Sequence, residues 1–431
     1  MRILFVYPRF VKYLENFPEI SFAGAERLNG YAYPPALAIP VLMSVTPDEH
    51  QCEFVDQNVE EVDYDTDADV IAVSYFTPQA AAAHQICKRF REKKKTVVVG
   101  GMHPTVRPLE AQTHADIVCL GEGEMVWPQI LEAIEKGDYQ ETYRQSQPTD
   151  LDAVPLPVRA IGHARSELYG IHLDYLELSR GCHGACNACV VPRVSGRELR
   201  LKRIDKAVEE IRGMRFPMCF IADDILFIQQ DAKTRSYLLE LFGEFAKADH
   251  GRGIFAPSVP IHRVDPKLLE AMRQAGVTVS YSTFGFDPVS NSVIVGSSNR
   301  LRRILVDRIK AIHGAGMLFY AAFHLGFDEH TPAIKDNILE FCHDAEIKLA
   351  QFCLKTPWPG TEMWDTLEQQ GRILHTDWHL YNGANVVFAP KNISAEQLGT
   401  VFVELWQEFS AAFHQLNQLQ RTQVVDYDSL S

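Results

Sequence analysis

The 431-residue chain has no apolar run near the ~18 residues of a membrane span, and its first seven residues are too short and apolar for a secretory leader. It has no excess of basic charge: 42 Lys and Arg against 56 Asp and Glu give a net charge of −14, which argues against a nucleic-acid partner held by phosphate neutralisation. The short basic runs 88–95 and 197–203 fit solvated helix faces or loops. It has no low-complexity tract, and at 46% hydrophobic and 23% charged residues it predicts a globular protein of two to three domains with a substantial core. Of nine cysteines, Cys52, Cys87, Cys119, Cys219, Cys342 and Cys353 stand singly in apolar surroundings, without the pairing of a disulfide framework. Single buried thiols predict a reducing compartment, and the cytoplasm is the expected location.

What the chain does have is a cysteine triad. In Leu178-Ser179-Arg180-Gly181-Cys182-His183-Gly184-Ala185-Cys186-Asn187-Ala188-Cys189, three and then two residues separate the thiols. Three thiolates on one tight loop can each ligate one iron of a [4Fe-4S] cube and leave the fourth iron open. The competing readings are a zinc site, for which only His183 is a local fourth ligand, and three unrelated thiols.

Around the triad the order of elements is regular. Residues 2–7, 52–55, 70–74, 96–99 and 117–120 read as buried strands, alternating with helices over 36–45, 80–92 and 108–113. That alternation predicts a doubly wound, Rossmann-like parallel sheet over residues 1–145. A Pro- and Gly-bearing stretch, 146–170, reads as a linker. Over 171–360 six further strands (176–179, 218–222, 253–256, 277–282, 318–324, 349–354) alternate with helices and predict a partial (β/α)6 barrel. Residues 361–431 form a C-terminal extension whose last helix carries Leu398, Val401, Phe402, Leu405, Trp406, Phe409 and Phe413 at helical spacing. Ser394 followed by Gln397 fits a capping box at its start.

The triad resembles that of the radical S-adenosylmethionine (SAM) enzymes, with Ala188 where an aromatic residue usually precedes the third cysteine. The order of the two units, with Tyr33-Pro34-Pro35 and the strand ends Gly100-Gly101 and Gly121-Glu122-Gly123, resembles the cobalamin-dependent branch of that family. So do Gly285-Phe286-Asp287, Gly326-Phe327-Asp328 and Thr356-Pro357-Trp358-Pro359-Gly360 at the barrel strand ends, and Gly371-Arg372-Ile373 beyond them.

The resemblance implies three cofactors: a [4Fe-4S] cluster on Cys182, Cys186 and Cys189, SAM, and cobalamin. SAM contacts are expected from Asp223, Asp224, Ser258, Arg263 and Asp287. Cobalamin contacts are expected from Asn58, Ser74, Thr77, Gly100, Gly101, His103, Gly121, Glu122 and Gly123. The chain has no Asp-x-His-x-x-Gly sequence, so no histidine is expected on cobalt by that route.

The activity implied is reductive cleavage of SAM to a 5'-deoxyadenosyl radical and methylation of an unactivated carbon. A small-molecule, lipid or peptide substrate and an electron donor such as flavodoxin or ferredoxin would be the partners. Ring closure, rearrangement or oxidation without methyl transfer is the alternative within the family, and a non-catalytic cobalamin-sensing protein is the alternative outside it. Trp358, Trp364, Trp378, Tyr381 and Phe388 are candidates for a substrate pocket or for core capping the barrel.

Overall fold

The computed structural model describes residues 1–11, 15–17, 20, 37–169, 172–184, 186–224, 226, 231–257, 261 and 265–420. Tyr33, Pro34, Pro35, Ser258, Arg263 and the side chain of Phe413 lie outside the described residues.

Six strands form the first sheet: β1 (Arg2–Tyr7), β2 (Gln51–Asp56), β3 (Val70–Ser74), β4 (Thr96–Gly100), β5 (Ile117–Leu120) and β6 (Thr142–Arg144), in the order β2-β1-β3-β4-β5-β6. Every pairing is parallel. The central strands are apolar at nearly every position because helices cover both faces of such a sheet. One face packs Val73, Val97 and Val99 against Ile86 and Phe90, and the other packs Phe5 and Ile117 against Trp127 and Ile130. Strand order reverses between β1 and β3, which opens a crevice at their C-terminal ends.

The second sheet is also six-stranded and parallel: β7 (Leu173–Leu176), β10 (Met218–Ile221), β11 (Gly253–Ala256), β12 (Val277–Phe284), β13 (Leu318–Leu325) and β14 (Leu349–Leu354), each beside its predecessor in this series. β7 and β14 form its two edges, so the barrel is partial. Alternate side chains such as Ile221, Ile254, Phe319 and Phe352 are buried against the outer helices. The others, including Phe220, Phe255, Tyr281, Tyr320 and Gln351, are half-buried on the opposite, concave face.

Two features differ from the sequence-based expectation. The strand expected over 176–179 stops at Leu176, and Ser179–Arg180 (β8) pairs instead, antiparallel, with Arg200–Leu201 (β9). The cause is Asp223, whose carboxylate takes the N–H groups of Leu178 and Ser179 at 2.8 and 3.1 Å and so withdraws them from the ladder. The stretch expected as linker carries a helix, Arg159–Tyr169, anchored by Arg159 donating to Asp174, the Tyr175 carbonyl and Glu210.

The C-terminal extension joins both units. Trp364, Trp378 and Tyr381 are buried in the core of the first sheet, so these aromatics cap that sheet and not the barrel. The last helix, Ala395–Gln420, packs Leu398, Phe402, Leu405 and Trp406 onto the barrel core, with Trp406 at 5.2 Å from Phe352. Its capping box is formed: the Ser394 N–H donates to Gln397 Oε1 and the Gln397 N–H to Ser394 Oγ, each at 3.1 Å.

Candidate functional site: a cysteine loop against the first sheet

The three cysteines follow β8, on the loop leaving the first barrel strand. Gly181 permits that loop: its φ is +91°, and a Cβ there would lie 2.0 Å from the Glu198 carbonyl oxygen. The Cys182 N–H donates to the Gly196 carbonyl, and the Cys189 N–H to that of Cys186. The thiols are free. Backbone N–H groups of Gly184 and Val191 point at Cys182 Sγ and Cys189 Sγ at 3.3 and 3.4 Å, the kind of donor that stabilises thiolate on a metal cluster. Burial raises the pKa of Cys182 and Cys189, so these thiols need a metal or another positive charge to stay ionised at neutral pH. Three thiols on one short loop, within electrostatic range of one another, two of them with backbone donors and Cys186 exposed, suit a cluster by the chemistry of their donors.

Beneath the loop, Asp223 is buried and its carboxyl is pushed up to about 7 by that burial, although Leu178, Ser179 and the Ser179 hydroxyl all donate to it. Its oxygens are committed to the loop, which assigns it to holding the cysteines rather than to SAM. Asp224 differs: it is exposed and within electrostatic range of Cys182 and Cys189. Asp287 accepts from the N–H groups of Val289 and Ser290 at 3.0 and 2.9 Å and is the cap of the helix Pro288–Ile294, so its carboxylate is also committed. Ala188 packs with Met363, Leu367 and Phe388, so the apolar surface around the third cysteine comes from the C-terminal extension.

On the first sheet, the expected cobalamin contacts divide. Ser74, Gly100, Gly101, Gly121 and Gly123 sit half-exposed at strand ends. Gly101 has φ +103°, and a Cβ there would meet the Tyr75 backbone at 2.9 Å, so this glycine serves a close packing of strand ends. Asn58 bridges the β1 and β2 ends: Oδ1 accepts from the Phe10 N–H at 2.9 Å and Nδ2 donates to Asp56 at 2.7 Å. Thr77 and His103 are wholly buried, bonded to one another at 3.1 Å and roofed by Trp378, which removes both from an open pocket.

Glu122 turns away from the crevice toward the cysteine loop. Its carboxylate takes Arg200, the Thr149 N–H and Gln145, and lies 3.6 Å from Arg180. Burial alone would raise its pKa, but Arg200 and Thr149 hold it below the usual carboxylate range. Arg180, one residue before Gly181, is gripped bidentately by Glu177 at 2.7 and 2.8 Å and by Glu124 at 2.7 Å. Sequence reasoning missed Glu177, Arg180 and Arg200, whose only signal was proximity to the triad. It also missed the concave aromatic face, where Phe220 and Phe255 lie 4.8 Å apart and Tyr281 and Tyr320 5.2 Å apart.

The two units meet at this site. The helix Met102–Val106, after β4, touches the helix Val191–Val194 that follows the third cysteine, and Gly121 faces the Val194 carbonyl.

The B12 binding domain family matches residues 31–131. A bacteriochlorophyllide d C-8(2)-methyltransferase of Chlorobaculum tepidum is 27% identical over 81% of this chain and 80% of its own length. A hopanoid C-2 methylase of Rhodopseudomonas palustris is 24% identical over 87% of this chain and 72% of its own. Among solved structures, the radical S-adenosylmethionine methyltransferase TsrM of Kitasatospora setae, with cobalamin and a [4Fe-4S] cluster bound, shares the fold. Its TM-score is 0.64 at 14% identity, covering 86% of this chain and 78% of TsrM.

Proposed function

We infer that this chain, a member of the cobalamin-dependent radical SAM enzymes, methylates a carbon of a ring-bearing, largely apolar substrate held on the concave face of the barrel. The observation that carries this reading is the shared boundary: the cysteine loop and the strand ends of a B12 binding domain are joined through Glu122, Arg180 and Arg200. When bound, the cluster supplies the electron that cleaves SAM, and cobalamin supplies a carrier for the methyl group.

The chain's own part is placement. Asp223 and Gly181 fix the path of the loop that carries Cys182, Cys186 and Cys189, the ligands we assign to the cluster. Asp224, exposed beside the cysteines, is the acceptor we assign to the ammonium of SAM. The half-exposed strand ends at Ser74, Gly100, Gly101, Gly121 and Gly123 are the surface we assign to the corrin, with Gly101 serving the packing of those ends. Phe220, Phe255, Tyr281 and Tyr320 offer flat apolar surface with two hydroxyls, one of which, on Tyr320, donates to Gln351 at 3.2 Å. Two of the relatives are named for methylation of bacteriochlorophyllide d and of hopanoid. A flavodoxin- or ferredoxin-like donor would supply the reducing electron.

The test is anaerobic reconstitution with iron, sulfide and hydroxocobalamin, desalting, and incubation with trideuteromethyl-SAM and a low-potential reductant. Near-stoichiometric iron and corrinoid with release of 5'-deoxyadenosine are expected, and the Cys182→Ala variant should keep corrinoid and lose deoxyadenosine. A cluster that forms without corrinoid retention sinks the methyl-transfer reading.

A further inference from the structure

We propose that His84, His103 and Glu110 form a binding site for a divalent metal ion, zinc by the chemistry of its donors, beneath the C-terminal extension. The three residues come from separate elements of the first unit: the helix Ala80–Glu92, the helix Met102–Val106 and the helix Pro108–His114. One ligand atom from each lies within 4.8 Å of the others, and His103 Nε2 is 3.6 Å from Glu110 Oε1. Tetrahedral zinc with bonds of 2.0–2.1 Å holds its ligands ~3.3 Å apart, so a modest contraction of the two imidazoles toward the carboxylate completes the set. Two imidazoles and one carboxylate suit zinc above magnesium or calcium, which prefer all-oxygen sites.

The observation that singles out this cluster is His103 Nε2. The side chain is wholly buried, yet among the described residues that nitrogen has no partner within hydrogen-bond distance, and its nearest is the Glu110 carboxylate, a charge contact at 3.6 Å. A buried imidazole nitrogen left unpaired is costly unless something fills the position. In the tautomer that donates Nδ1–H to Thr77 Oγ1 at 3.1 Å, Nε2 presents a lone pair to the centre of the cluster.

Each ligand also has an outer partner of the kind that orients metal ligands: Thr77 on His103, the Tyr75 hydroxyl at 3.4 Å from His84 Nε2, and the Trp378 indole N–H on Glu110 at 2.8 Å. His84 borders a surface groove together with His114, which stacks on it at 3.8 Å, and the groove offers an entry path for the ion and for a water as fourth ligand. A metal here would tie the extension, through Trp378, to the first sheet. The proposal is independent of the methyl-transfer reading.

The test is zinc content of the full chain, reconstituted with cluster so that iron fills the cysteines, exposed to zinc and desalted. Wild type is expected to retain about one zinc per chain, and His84→Ala and His103→Gln to lose it while iron and corrinoid content stay unchanged. The Trp378→Phe variant, which removes only an outer donor, should weaken zinc retention by about 10- to 100-fold. Should His103→Gln fail to fold, the melting temperature decides: zinc is expected to raise it in wild type and not in His84→Ala. No zinc retention by wild type, or equal retention in the His84 variant, overturns the site whatever the fate of corrinoid.

Discussion

Asp223 holds Ser179 at the foot of the cysteine loop with both carboxylate oxygens, one accepting the backbone N–H at 3.1 Å and the other the hydroxyl at 2.9 Å. One buried side chain just after β10 thereby sets the path of a loop that begins on β8, 44 positions earlier.

That carboxyl makes stability depend on pH. Its pKa in the folded chain, about 7, is raised above the unfolded value of 3.8, so the folded state holds a proton that the unfolded state has released. The stabilising contribution is full below the unfolded value and is lost as pH rises through about 7. Wild type should lose denaturant resistance between about pH 4 and about pH 7 and lose no more of it from this group above that. In Asp223→Asn, which keeps an acceptor for the two N–H groups, that slope should flatten; equal slopes in urea titrations would rule the account out.

Glu122 and Arg200 form a pair in which the side chains are 7% and 14% exposed. Removing one partner of a buried pair leaves an uncompensated charge and costs about 3–5 kcal/mol. Arg200→Met should therefore lower stability by that order and reduce cluster occupancy, while Glu122→Gln with Arg200→Met should recover part of the loss. A double-mutant cycle without coupling would remove Glu122 from its role as the join between the sheet and the loop.

Gly181→Ala is expected to abolish iron incorporation and leave corrinoid retention intact. The new methyl group would collide with the Glu198 carbonyl, and the left-handed backbone adds strain. Iron content after reconstitution checks this, and an occupied cluster in the variant would show that the loop reaches its ligating form another way.

Trp406→Ala should destabilise the chain by about 3–5 kcal/mol, because the indole is buried between Phe352 and Phe402 where the last helix meets the barrel. Thermal melting measures it. A shift no larger than that of an exposed substitution would mean that the helix does not dock on the barrel.

The two sheets were readable because each strand is a short apolar run bounded by polar turns, and each helix a longer run with a stripe. The triad was readable because its ligands are neighbours in sequence. The roles of the strand-end polar residues were not. Asp223, Asp287 and Glu122 look alike as acidic residues after strands, and all three were expected at cofactors. Their geometry separates them into a loop holder, a helix cap and a join between units. Asp224, the immediate neighbour of Asp223, is left exposed near the thiols by the alternation of the chain. Trp378 read as a candidate for the barrel, yet it donates to Glu110, 268 positions earlier.

Local pattern alone determined the alternation of strands and helices, the capping box of the last helix and the spacing of three cysteines on one loop, since each depends on residues a few positions apart. Only the tertiary structure decided which acidic side chains are spent on backbone, that the C-terminal aromatics cover the first sheet, and that His84, His103 and Glu110 converge. Those outcomes depend on partners brought together by packing, and a buried polar group takes whichever partner the fold places within reach.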